Sequence, residues 1–146
     1  MLKAESSVFI DAPRKKVFDL LAHPELLAGH MDTVHAVSVI SRNTNSVLTE
    51  TVAGTDHRDT TFILESRLFP PGRIDIRQLK GELRRLRGSD RLEEENGGTR
   101  VTETLEFDIG LPFFGDLVGN MGIRQLIQQQ SQERLNVLKR LAETDM

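Results

Sequence analysis

The 146-residue chain contains no cysteine, no tryptophan and no tyrosine. Without cysteine there is no disulfide, no thiol nucleophile and no thiolate metal site, a composition that suits a reducing cytoplasm. Without tyrosine there is no phenol to act as an acid or hydrogen-bond donor, since all seven aromatic residues are phenylalanine. A basic excess is missing too. The 19 Lys and Arg against 22 Asp and Glu leave a net charge of −3, so no global positive field recruits nucleic acid or an anionic membrane. No run approaches the roughly 20 apolar residues of a membrane span. The opening MLKAESSVFIDAP has no apolar stretch of signal-peptide length, and a cytoplasmic location is the expectation. There is no G-x-S-x-G string and no phosphate-cradling glycine loop. What is present is ordinary for a globular chain, 38% apolar and 28% charged, at a length that fits one domain, 1–146, with one substantial core.

The chain is organised around its last stretch, LPFFGDLVGNMGIRQLIQQQSQERLNVLKRLAETDM. From Met121 onward, apolar residues at Met121, Ile123, Leu126, Ile127, Leu135, Leu138, Leu141 and Ala142 predict one long helix. Between Ile127 and Leu135 the inward positions fall to Gln130, Ser131 and Arg134. Greasy ends and a polar waist suit a helix that packs at its ends and lines something at its centre.

The N-terminal part reads strand–helix–helix. Glu5 to Asp11 is a strand; Asp11 is the expected N-cap of a helix opening at Pro13; that helix stops at His23-Pro24, and a short one runs from Pro24 to about Gly29. Alternating patterns then predict strands over 34–40, 47–53, 60–69, 73–79, 83–95 and 99–109, an antiparallel meander with an Asn96-Gly97 hairpin turn before the last. In the strand over 83–95 the parity conflicts, because Leu83 is odd while Leu86 and Leu92 are even; a bulge near Arg84-Arg85 would reconcile them. Parity places Phe62, Leu64, Ser66, Ile74, Ile76 and Leu86 on one face. Glu103, Leu105 and Phe107 join them from the last strand, with Ile127, Gln130 and Arg134 opposite on the long helix. The fold class is α+β: a bent seven-stranded antiparallel sheet covered by the C-terminal helix.

This order of elements resembles the START / polyketide cyclase-like superfamily, the helix-grip fold shared with the birch-pollen allergen. The residues that carry the resemblance are Phe9-Ile10-Asp11-Ala12-Pro13 with Val17-Phe18 and Leu20-Leu21, then His23-Pro24-Glu25, the stretch Asn96 to Thr102, and Leu135, Leu138, Lys139 and Leu141. Where a tryptophan commonly follows the second small helix, Gly29-His30-Met31-Asp32 stands instead. The resemblance implies a deep, mostly apolar cavity between sheet and helix, in a family that binds lipids, polyketides, quinones and hormones, some of whose members catalyse cyclisation or dehydration. No cofactor and no metal are expected.

On that footing the inward-facing residues, with Phe114 beside them, become candidate ligand contacts for a small hydrophobic molecule. The alternative is a fully packed core. Glu103 is the sharpest position: an inward carboxyl, with Arg134 or Gln130 as partner, can orient a ligand hydroxyl or act as acid or base on a carbonyl compound, and can equally be a structural ion pair or sit exposed at the sheet rim. Glu103 and Arg134 are therefore the only candidates for catalysis. His30, Asp32 and His35 form an H-x-D-x-x-H string, but it crosses a loop-to-strand junction, so its spacing does not put three ligands on one face. Arg77, Lys80, Arg84, Arg85, Arg87 and Arg91 form a basic run without interleaved aromatics, expected as a solvated strand face balanced by Glu93, Glu94 and Glu95 rather than a nucleic-acid site. A protein-interaction role for that outer face is a further alternative. The glycines around Phe113-Phe114-Gly115 and in Gly119-Asn120-Met121-Gly122 fit either a hinge over a pocket or a simple bend before the helix.

Overall fold

The computed structural model describes residues 1–55, 58–109 and 117–144. β1 (Leu2–Ile10) alternates as a half-buried strand should, with Ala4, Ser6 and Ile10 buried and Lys3, Glu5 and Ser7 exposed. α1 (Arg14–Leu21) buries Val17, Phe18 and Leu21, and α2 (Pro24–Ala28) buries Leu27 and Ala28. Pro13, not Asp11, is the N-cap of α1, and no side chain caps it. Asp11 lies two residues too early for that role; its amide instead donates to Glu143 Oε2 at 2.8 Å.

Six strands follow: β2 (Val34–Arg42), β3 (Ser46–Thr55), β4 (Arg58–Phe69), β5 (Arg73–Lys80), β6 (Arg85–Glu95) and β7 (Gly98–Asp108). Each pairs antiparallel with the next, and β1 closes beside β7, giving the order β1-β7-β6-β5-β4-β3-β2. Asn96 and Gly97 both have positive φ (48° and 82°), the conformation that a two-residue hairpin turn requires and that Asn-Gly adopts most readily.

The expected bulge at Arg84-Arg85 is absent. β6 pairs with β7 without interruption from Arg85↔Asp108 to Glu95↔Gly98. The parity conflict has a simpler cause: Leu83 precedes the strand, in a turn pinned by a 2.7 Å hydrogen bond from Gln78 Nε2 to the Leu83 carbonyl. The register shifts lie instead in the β2–β3 and β4–β5 pairs. β5 pairs with β6 only from Arg73 to Arg77, so the two strands part where that turn begins.

α3 (Leu117–Glu143) begins four residues before the expected Met121, so Gly119 as well as Gly122 lies inside the helix. Phe113, Phe114 and Gly115 lie outside the described residues. α3 packs along β1 and against α1 and α2. Its C-terminal half carries the core: Leu135, Leu138 and Ala142 join Ile10, Val17, Phe18, Leu21, Ile74, Leu92 and Val101. Each such Leu, Ile or Phe contributes about 1.5–3 kcal/mol through burial. α3 also satisfies the open edge of β1. Arg124 donates to the Lys3 carbonyl at 3.0 Å, Gln128 donates to the Glu5 carbonyl at 2.7 Å and accepts from the Glu5 amide at 3.2 Å, and Lys139 donates to the Phe9 carbonyl at 2.8 Å. Side chains thus stand in for a neighbouring strand. Among the described residues no helix is long and apolar enough to cross a membrane.

Candidate functional site

Beyond the core, α3 and the concave face of the sheet enclose a cavity of about 320 Å³. That is at the small end of the range for ligand pockets, and its wall is mostly apolar. A packed core does not fill the concave face.

Ten of the residues placed inward by parity line this cavity. β4 supplies Phe62, Leu64 and Ser66, β5 supplies Ile76, and β6 supplies Leu86. β7 adds Glu103 and Leu105, and α3 adds Ile127, Gln130 and Arg134. Three of the expected residues are not in the wall. Ile74 faces the same side but lies further along β5, in the core with Leu92 and Leu135, where α3 meets the sheet. Phe107 is fully buried near the end of β7, opposite Leu2 and Leu86, and its ring takes no part in the wall. Phe114 lies outside the described residues.

Sequence reasoning missed the opposite wall. α2 and the loop after it contribute Leu27, Ala28 and Met31, and β3 contributes Thr49, Thr51 and Ala53. The two-residue alternation of β3 carries that signal; α2 carries none, because five residues hold too little periodicity. Leu83 reaches the wall from its turn.

The polar end of the cavity is a buried cluster. Glu103 is 2% exposed, which rules out the rim position. Ser131 Oγ donates to Glu103 Oε1 at 2.8 Å, and Arg134 Nη1 donates to Glu103 Oε2 and, at 3.1 Å, to Asp90 Oδ2. Asp90 stands directly opposite Glu103 in the β6–β7 register and is fully buried. Burial first, and the Asp90 charge second, push the Glu103 carboxyl well above the usual range; Arg134 and Ser131 pull it down without cancelling that. Burial disfavours the Arg134 charge, but Asp90 and Glu103 outweigh it and the guanidinium is held above its usual value. A carboxyl pushed towards its neutral form beside a fixed cation can offer a ligand oxygen a hydrogen-bond donor from each group. Sequence reasoning also missed Asp90, although it shares the even parity of Leu86 and Leu92.

The other sequence candidates do not converge. His30, Asp32 and His35 are exposed, and His35 Nδ1 pairs with Asp59 Oδ1 at 2.6 Å. Among the described residues no group of three or more His, Asp or Glu side chains comes together as metal ligands. In the basic run, Arg77 and Arg87 are balanced by acids other than the expected Glu93, Glu94 and Glu95. Arg77 pairs with Glu65 at 2.7 Å and Arg87 with Glu106 at 3.4 Å. Glu94 pairs with Arg14 and Glu95 with Arg100.

Comparison with solved structures places the fold. The protein TTHA0849 from Thermus thermophilus superposes with a TM-score of 0.89 at 23% identity, over 99% of this chain and 100% of that one. The Zhui aromatase/cyclase from a Streptomyces species gives 0.86 at 18% identity, over 97% and 93%. A STAR-related lipid transfer protein from Xanthomonas axonopodis gives 0.73 at 13% identity, over 96% and 85%. The architecture is therefore the helix-grip fold. A comparison with curated proteins finds no match. The profile of the family described as "Polyketide cyclase / dehydrase and lipid transport" matches residues 10–132, and the chain belongs to that family.

Proposed function

We propose that the protein binds a small hydrophobic molecule of lipid, polyketide or quinone type beneath α3, as an intracellular carrier or sensor. The observation that carries this reading is the apolar cavity of about 320 Å³ with its polar groups gathered at Glu103, Ser131 and Arg134. An apolar wall supplies affinity, and a few buried polar groups orient the guest. The family description and the lipid transfer protein among the similar structures support it.

A second reading, a cyclase or dehydratase acting on a polyketide-like carbonyl compound, is favoured by one feature. Glu103 as acid and Arg134 as oxyanion partner sit side by side in the same wall. The aromatase/cyclase among the similar structures supports this reading.

Titration calorimetry with 2-acetylnaphthalene tests the first reading. Saturable one-to-one binding is expected, weakened about tenfold or more by Leu64→Arg, which puts a charge in the apolar wall. Arg91→Glu on the convex face leaves it unchanged. No binding, or equal binding by Leu64→Arg, contradicts the reading. For the second, Glu103→Gln should abolish turnover of a β-hydroxyketone while the compound still binds; turnover that survives the substitution removes Glu103 from the chemistry.

A further inference from the structure

The charge count of the cavity wall selects among ligands. Asp90 and Glu103 lie opposite each other on β6 and β7, 0% and 2% exposed. One guanidinium, Arg134 from α3, serves both. Among the described residues, the remaining elements around the cavity bring no second cation to its wall. α2, β3, β4 and β5 contribute only uncharged wall residues, β1 places Ser6 next to Glu103 in register, and the β5–β6 turn adds a further acid, Glu82. Two carboxyl groups on one cation in a dry wall are stable with one proton retained between them, because the second buried negative charge has no counter-charge. Asp90 does not line the cavity, and its Oδ1 has no hydrogen-bond partner among the described residues. Glu103 does line it.

We propose that Asp90 is a positioning residue that engages Arg134 from behind the wall and leaves Glu103 as a neutral acid, so that the cavity accepts an uncharged ligand carbonyl and excludes a carboxylate of the same shape. This inference rests on the ligand-binding reading of the cavity. With Arg134 balanced by Asp90 and Glu103 protonated, the buried cluster is neutral overall. A ketone oxygen accepts hydrogen bonds from Glu103 and Arg134 at no cost in charge. A carboxylate brings a second buried anion to a cation already paired with Asp90, and its desolvation goes uncompensated.

The test compares two probes of one skeleton, 2-acetylnaphthalene and 2-naphthoate, by calorimetry from pH 5 to 9. The wild-type protein should bind the ketone at least about tenfold more tightly than the carboxylate at pH 7. Ketone affinity should fall at alkaline pH, as Glu103 ionises. Asp90→Asn should move that fall to lower pH, because Arg134 then turns its charge to Glu103 alone. Glu103→Gln keeps a donor and should remove the pH dependence. The infrared spectrum of the wild type at neutral pH should hold a protonated-carboxyl band that Glu103→Gln lacks. Equal affinity for the two probes, an unmoved profile in Asp90→Asn, or absence of the band overturns the proposal. If Asp90→Asn does not fold, the probe pair and the band decide it on the wild type and Glu103→Gln. Failure of both probes to bind the wild type refutes the ligand-binding reading itself, whereas binding without discrimination refutes only the role of Asp90.

Discussion

Glu103 links protonation to stability. Its folded carboxyl titrates well above the ordinary value of 4.5, chiefly through burial and the neighbouring Asp90. Between those two values the folded state holds a proton that the unfolded state releases. Stability therefore falls as pH rises from about 4.5 towards the folded value. Glu103→Gln removes this titration. Thermal melts at pH 5 and pH 8 should differ less for the variant than for the wild type, and a larger difference would contradict the assignment. Arg134 bears the complementary risk. Replacing it with methionine strands two buried carboxyl groups and should cost about 3 kcal/mol or more, measured by urea unfolding at neutral pH. Both residues were legible in the sequence, Glu103 from its parity with Val101 and Leu105, Arg134 from the polar waist of the helix. Asp90 was not, because counting Leu83 into β6 blurs the strand's parity; once Leu83 is assigned to the turn, Leu86, Asp90 and Leu92 share one face.

At the scale of elements, two close contacts set where the cavity lies. The first is the clasp of α3 on β1. Gln128 satisfies both backbone groups of Glu5 and also donates to Ser6 Oγ at 2.9 Å. Gln128→Ala should cost about 1–2 kcal/mol and speed hydrogen exchange at the Glu5 amide; unchanged exchange would mean the clasp does not hold the edge. The second is Gly88, on the inner face of β6 opposite Leu105. A Cβ there would run into the Thr104 carbonyl and come within 2.6 Å of Leu105 Cδ2. Gly88→Val should therefore destabilise by about 1–3 kcal/mol in the same urea assay. The strands, the two small helices and the Asn96-Gly97 turn were legible because alternation, proline and turn chemistry act locally. The clasp was not, since bonds between residues more than 120 positions apart leave no local pattern.

The whole molecule divides its length between core and cavity. Where Leu135, Leu138 and Ala142 meet the sheet, apolar packing holds the fold; over the preceding eight residues, Ile127, Gln130, Ser131 and Arg134 face the open space. Periodicity in the sequence distinguished these two halves of α3, but it could not give the second wall, which depends on how far α2 and β3 curl over the concave face. The central claim is that the space is a binding site. Native mass spectrometry of the protein purified gently from the cells that produce it tests this most directly. The account predicts a discrete added mass that is lost on organic extraction and missing from Leu64→Arg. A clean protein mass, or an adduct that Leu64→Arg retains in full, would contradict it.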